Sequence, residues 1–334
     1  MNTDLIGVVG LGFLGRGIAA SLLSHGFRVV AFTVGRDTHE RAHEYIDKAI
    51  AELIERAAFS ASLAQNWRER YIPTESLSGF APCQFVIESV LEDFAIKQQV
   101  FDQVEAVVGD DVPIASNTSA IPITALQEKR RRPARFLGMH WSEPAYATRF
   151  LEIIRGEHTE DRAIEKTMQL AKKLDKDACL VKKDVPGFIV NRLGYAMYRE
   201  AINLLESGVA DAETIDRGFR NSCGLWATLC GPLRWIDITG GPALYAKAMK
   251  GVLPTLSNAS ELPKTLQKMW DNDDRGTING RGFHTYGPDD AKHWEALLHE
   301  HAWAVRAMHE KYHPLSEATN TASIPTDSDA AKQS

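Results

Sequence analysis

Apolar residues in the first part of the chain gather into short runs rich in β-branched side chains, and between these runs they recur every three or four positions. The first period belongs to strands and the second to amphipathic helices. Strands are predicted over 5–9, 28–32, 84–89, 114–116, 135–139, 150–154 and 178–181, and helices over 18–24, 39–58, 97–101 and 161–174, with 65–74 a polar connection. Such alternation predicts a largely parallel sheet covered by helices. Val185, Pro186 and Gly187 break it. Beyond them the spacing is helical over 189–207 and 211–221, further apolar segments follow at 233–238, 244–253 and 262–270, the stretch 281–286 closes the body, and a last helix spans 292–311. The chain therefore reads as an α/β domain over 1–184, an all-α domain over 185–312 and a tail over 313–334. From Ser316 onward that tail is rich in Ser, Thr, Ala and Asp and is expected to be disordered.

Composition narrows the function. A charged fraction of 25% and a hydrophobic fraction of 44% are ordinary for a soluble globular protein. The net charge of -6 and a pI near 6.0 argue against a nucleic-acid partner, and the one dense basic run, Lys129 to Arg132, reads as a solvated turn. No apolar run is long enough to cross a membrane and no leader peptide is evident, so a cytoplasmic protein with no membrane partner is expected. Cys83, Cys179, Cys223 and Cys230 form no CxxC pair and are expected as reduced, buried thiols. The histidines are scattered, with no ligand-like spacing in a cleft, so no metal is expected.

The first strand runs directly into Gly10, Gly12 and Gly15, with Phe13 and Leu14 inside the turn, and a helix and a second strand follow. That is the context of a dinucleotide fingerprint: Gly10 allows the tight turn, Gly12 lets backbone approach a pyrophosphate and Gly15 lets helix pack on strand. The helix N-terminus then faces the phosphates. The end of the second strand lacks the acid that would accept the ribose hydroxyls. Thr33 and Arg36 stand there instead, which suits a 2′-phosphate and makes NADP an alternative to NAD. The strand at 114–116 delivers Asn117, Thr118 and Ser119 to the sheet edge where ligands of parallel sheets bind. His140, at the exit of the next strand, and Glu152 suggest a general base and the carboxylate that orients it.

Taken in order, GLGFLG, VIESVLEDFAIK, ASNTSAIPIT, GMHW…EP…LE and DVPGFIVNRL…EA…L…GVA resemble the 3-hydroxyacyl-CoA dehydrogenase family, and the likeness extends to about Tyr286. The resemblance implies an N-terminal Rossmann-like NAD(P)-binding domain and an all-α C-terminal domain like that of 6-phosphogluconate dehydrogenase, through which such chains pair as homodimers. It implies hydride exchange between a nicotinamide, NAD in the family's usual case, and a secondary alcohol. Carried across, His140 is the catalytic base and Glu152 its orienter. Ser119 and Asn191 are polar groups beside the reacting oxygen, and Glu92, Lys97 and Asn117 are cofactor contacts.

Two departures bear on the substrate. Glu143 stands where the family usually has asparagine, and a carboxylate there repels an anionic substrate unless it is protonated or paired, with Arg149 a nearby candidate. The six residues between Gly224 and Gly231 match the spacing of the branch resembling lambda-crystallin-type gulonate dehydrogenase, whose members act on small, CoA-free hydroxy compounds. Trp226 occupies the position where that branch often has a basic residue for a substrate carboxylate, so Glu143, Arg149 and Trp226 are the candidate substrate contacts. Glu143 with Trp141 or Trp226 would favour a cationic, polyol or aromatic substrate. The leading expectation is oxidation of a small 3-hydroxy acid or related alcohol. The alternatives are 3-hydroxyacyl-CoA oxidation and a non-catalytic, crystallin-like NAD(P)-binding protein.

Overall fold

The structure, a computed structural model, describes residues 4–315. The tail expected to be disordered lies, from Ser316 onward, outside the described residues. Two compact units divide the chain, one running to Phe188 and the other spanning Ile189–His313. The break falls after Phe188, past the Val-Pro-Gly turn, because Phe188 is 1% exposed within the apolar core of the first unit.

The first unit is built on β1 (Leu5–Val9), α1 (Phe13–Ser24), β2 (Arg28–Phe32), α2 (Arg36–Arg56), α3 (Leu63–Arg70), β3 (Tyr71–Pro73), β4 (Phe85–Glu88), α4 (Phe94–Val107), β5 (Ile114–Ser116), α5 (Ile123–Gln127), β6 (Phe136–His140), β7 (Phe150–Ile154), α6 (Asp161–Lys173) and β8 (Asp177–Val181). The strands form one sheet in the order β3-β2-β1-β4-β5-β6-β7-β8. Every pairing is parallel except β6 with β7. Ile6, Val8 and Val9 of β1, with Val86 and Ile87 of β4, are essentially unexposed, as a strand covered on both faces requires.

Differences from the sequence reading have local causes. The polar connection at 65–74 takes in most of α3 and all of β3, since Leu63 and Trp67, spaced by four, turn inward from the helix and Tyr71 from the strand while polar residues fill the gaps. Helix α1 begins at Phe13 rather than 18, taking in two glycines that helical propensity would exclude. Close packing explains one of them: a Cβ on Gly15 would lie 1.9 Å from the Gly10 carbonyl oxygen. The basic run is not wholly a solvated turn. The Arg130 side chain is buried, with Nη2 2.8 Å from Asp102 and donating to Gln98 at 2.6 Å. Of the cysteines only Cys83 is buried, and that burial pushes its thiol up to about 12; Cys179 is exposed and Cys223 and Cys230 are half-buried.

The second unit consists of α7 (Val190–Glu206), α8 (Ala212–Ala227), α9 (Pro232–Ile238), α10 (Gly241–Val252), α11 (Lys264–Asp271) and α12 (Asp290–Tyr312). Helix α8 continues past Asn221 through Gly224, so Trp226 stands on its last turn and its ring stacks on Trp235 of α9, 5.7 Å between centroids. None of α8, α9, α10 or α11 contains a buried residue.

Candidate active site

The antiparallel pairing of β6 and β7 sets His140 directly opposite Glu152. Residues paired across such a ladder have neighbouring side chains, and here His140 Nδ1 lies 2.8 Å from Glu152 Oε2. Glu152 is wholly unexposed and His140 is 7% exposed. Phe150 and Phe188 flank the imidazole at 5.9 and 5.8 Å. A carboxylate on Nδ1 leaves the other ring nitrogen for proton exchange with a reactant.

Beside this pair, the ends of β4, β5 and β6 are laced together. Asn117 donates from its side-chain amide to Ser89 Oγ at 3.0 Å and accepts from the Trp141 backbone N–H at 3.0 Å. Behind it, the buried Lys97 donates to both oxygens of buried Glu88 at 2.8 and 3.1 Å, and Glu88 also accepts from Ser116 Oγ and the Val90 N–H. Glu92 lies 3.3 Å from the same ammonium and accepts from Thr118 Oγ1 at 2.6 Å, Ser119 N–H at 2.9 Å and Ala120 N–H at 3.1 Å. Burial alone would raise the Glu92 carboxyl, but the Thr118 hydroxyl, Lys97 and the two backbone donors outweigh it and hold it below the usual range.

The fingerprint has the shape its glycines imply. Gly10 adopts φ +92°, and a Cβ there would meet the Ser89 carbonyl oxygen at 2.5 Å. A Cβ on Gly12 would meet nothing within 4 Å, so the backbone is open to a ligand at the N-terminus of α1. Phe13 is exposed, Leu14 is half-buried and Thr33 follows β2. Arg36 opens α2, but its side chain lies outside the described ones.

The candidate substrate residues do not all stand on one element. Glu143 accepts a hydrogen bond from the Tyr45 hydroxyl of α2. Arg149 is buried with Nη2 3.6 Å from Asp177. Trp226 and Asn191 belong to the helical unit, where Asn191 stands on the first turn of α7. Tyr45 and Ser89 escaped the sequence reading, since a lone tyrosine on an amphipathic helix and a serine after a strand carry no pattern. Among the described residues no group of three or more His, Cys, Asp and Glu side chains is arranged to hold a metal, and no helix is long and apolar enough to cross a membrane.

The model of the NAD-binding domain of 3-hydroxyacyl-CoA dehydrogenase matches residues 5–185, and that of the family's C-terminal domain matches 187–286. The chain belongs to the 3-hydroxyacyl-CoA dehydrogenase family. As a member it is an NAD(P)-dependent dehydrogenase acting on CH–OH, with the Rossmann-like and helical domains its sequence implied. It is 32% identical over 305 residues to 5-formyl-3-hydroxy-2-methylpyridine 4-carboxylate 5-dehydrogenase of Mesorhizobium japonicum, covering 91% of this chain and 98% of the relative. It is 34% identical over 281 residues to a probable 3-hydroxybutyryl-CoA dehydrogenase of Deinococcus radiodurans, covering 84% and 99%. The crystal structure of a 5-dehydrogenase of that pyridine carboxylate, described as an NAD+-dependent dismutase, superposes with a TM-score of 0.84 at 31% identity over 94% of this chain and 99% of that one. That of the (S)-3-hydroxybutyryl-CoA dehydrogenase of Ralstonia eutropha gives 0.71 at 30% identity over 86% and 100%.

Proposed function

We propose that this family member transfers hydride between a nicotinamide dinucleotide and the secondary alcohol of a small, CoA-free 3-hydroxy acid or related hydroxy compound, with His140 as general base. The observation that carries the reading is the buried 2.8 Å contact between His140 Nδ1 and Glu152. In the oxidative direction His140 takes the hydroxyl proton on its free nitrogen while hydride leaves the carbon, and Glu152 holds the tautomer and stabilises the imidazolium. The nicotinamide, when bound, accepts the hydride. Ser119 and Asn191 act as donors to the oxygen whose charge develops. Gly10, Gly12, Phe13, Leu14 and Gly15 form the cofactor cradle, and Lys97, Glu92 and Asn117 shape its nicotinamide side.

Two points favour a substrate without CoA. The pyridine carboxylate dehydrogenase matches this chain nearly end to end, and the Gly224–Gly231 spacing fits the small-substrate branch. An aromatic hydroxy or formyl carboxylate is then a substrate class to test first. The Tyr45 hydroxyl donates to Glu143 and orients that carboxylate. The second reading, 3-hydroxyacyl-CoA oxidation, is supported by the likeness to hydroxybutyryl-CoA dehydrogenases. Steady-state kinetics with NAD+ and NADP+ over free 3-hydroxy acids, pyridine carboxylates and 3-hydroxybutyryl-CoA separates them. The highest kcat/KM on a CoA-free compound is expected; the highest on the thioester overturns it.

For the cofactor, Thr33 and Arg36 support NADP against the family's usual NAD. Tighter NADPH than NADH binding, lost selectively in Arg36→Ala, is the outcome this reading requires. We further propose that the helical unit pairs two copies of the chain.

A further inference from the structure

One cation of the fingerprint segment remains without a role. Arg16 follows Gly15 on α1, half-buried, and the tilt of the Cα–Cβ bond favours a side chain directed back toward the helix N-terminus. Its guanidinium carbon lies 4.4 Å from the centre of the Tyr45 ring and 5.7 Å from that of Phe13, a residue 59% exposed. Its buried Nε has no hydrogen-bond partner among the described residues. Stacking on an aromatic face retains a cation without neutralising it, so the charge stays available to an anion.

The platform beneath it is itself fixed. The Tyr45 hydroxyl donates to Glu143, and burial, then the Glu143 carboxylate, push that phenol far above its ordinary range, so it stays a neutral donor. Tyr146, from the same loop as Glu143, meets Tyr45 edge to face at 6.0 Å and donates to Glu52 of α2 at 2.6 Å. A Cβ on Gly17 would lie 3.4 Å from the Tyr45 hydroxyl oxygen and 3.5 Å from Glu143 Oε2, which places this pair against α1 one residue beyond Arg16. The backbone at Gly12, one helical turn before Arg16, is open.

We propose that Arg16 is an anion-recognition residue of the dinucleotide site, held over the Tyr45 ring by the Tyr45–Glu143 hydrogen bond and presented to the cofactor diphosphate. The diphosphate is favoured over a substrate carboxylate because Arg16 stands on the fingerprint helix itself. It is favoured over a ribose 2′-phosphate because Tyr45 lies more than two turns along α2 from Thr33 and the start of that helix. On this account Glu143 departs from asparagine as part of a cofactor-side device, with no direct part in substrate recognition.

The test is fluorescence titration of NADH, together with ADP-ribose competition, on the wild-type chain, Arg16→Met, Arg16→Lys, Tyr45→Leu and the Arg16→Met/Tyr45→Leu pair, with circular dichroism and melting of each apo protein. Arg16→Met is expected to weaken NADH and ADP-ribose by the same factor, about 10-fold or more for a lost charge-assisted contact. Arg16→Lys should recover part of it. Tyr45→Leu should weaken binding in the wild-type background and add little once Arg16 is gone, a coupling that a purely structural tyrosine would not show. Should Arg16→Met fail to fold, Arg16→Gln carries the same expectation. Unchanged NADH affinity in the folded Arg16 variants overturns the proposal, as does weaker NADH with unaltered ADP-ribose, or a rise confined to the substrate KM. Additive effects overturn the part assigned to Tyr45. Failure of the wild-type chain to bind NADH would instead count against the dinucleotide reading.

Discussion

At the scale of single residues, the chemistry rests on charges whose surroundings leave them few alternatives. Glu152 is unexposed and opposite His140 in register, so Glu152→Gln keeps the shape and removes the charge to which the proposed mechanism assigns stabilisation of an imidazolium. His140→Gln is expected to lower kcat by about 10²–10⁴-fold, with NADH affinity retained; Glu152→Gln should lower it in the same direction by less. Steady-state kinetics beside NADH titration checks both, and a variant with undiminished kcat would remove His140 from the base role. Glu92 offers a pH test. Its folded carboxyl lies below the ordinary value of 4.5, so the folded state binds fewer protons and gains stability from this group above that value, losing it as pH falls through the lower folded value. Glu92→Gln should therefore be less stable than wild type in urea near neutrality and no different well below pH 4. These residues were readable as polar groups at strand ends. The pairing of His140 with Glu152 was readable as well, whereas the bonding of Asn117 was not, because Asn117, Ser89 and Trp141 come from three separated segments.

At the scale of elements, the loop between β6 and β7 is pinned from two sides. Tyr45 and Glu52 of α2 hold Glu143 and Tyr146. From the other side Lys176, 1% exposed, donates to the Ala145 and Thr148 carbonyls at 2.5 Å and lies 5.0 Å from the Trp141 ring centre. Lys176→Met would leave two carbonyls unsatisfied in a buried loop, at a cost of about 2–4 kcal/mol. Urea unfolding reads this directly, and a change near zero would show that the loop does not depend on the ammonium. Sequence periodicity could not find this clamp, since a lysine after a helix looks like any C-terminal charge. The fingerprint was legible because glycine answers to backbone geometry alone: Gly15→Ala pushes a methyl into the Gly10 carbonyl, and loss of the NADH fluorescence response is the expected outcome.

At the scale of the whole molecule, the helical unit leaves much apolar surface in contact with water. Leu225, Leu233, Trp270 and Ile278 are 72, 77, 76 and 75% exposed. An apolar groove of about 940 Å³ is lined by residues including Tyr198, Ile202, Leu266, Trp270 and Phe283. Isolated soluble chains seldom leave so much apolar area uncovered, and closed twofold pairing is the commonest way to cover it. Sedimentation of the full chain should give the mass of a dimer, and Trp270→Asp should shift it toward monomer; a monomeric wild-type chain would overturn the pairing.

What the sequence determined by itself was whatever depends on local order: strand and helix periods, the glycine turn, the break near Val185 and the ordered motifs that identify the family. It also put His140 and Glu152 on adjacent strands, since the short excursion between them could scarcely lead elsewhere. Tertiary structure decided the rest. The partner of Glu143, the burial of Arg130 and Lys176, and the aromatic platform under Arg16 all depend on which distant side chains the fold brings within a few ångströms. A side chain's charge and burial are set by neighbours in space, and for these residues the neighbours are remote in the chain.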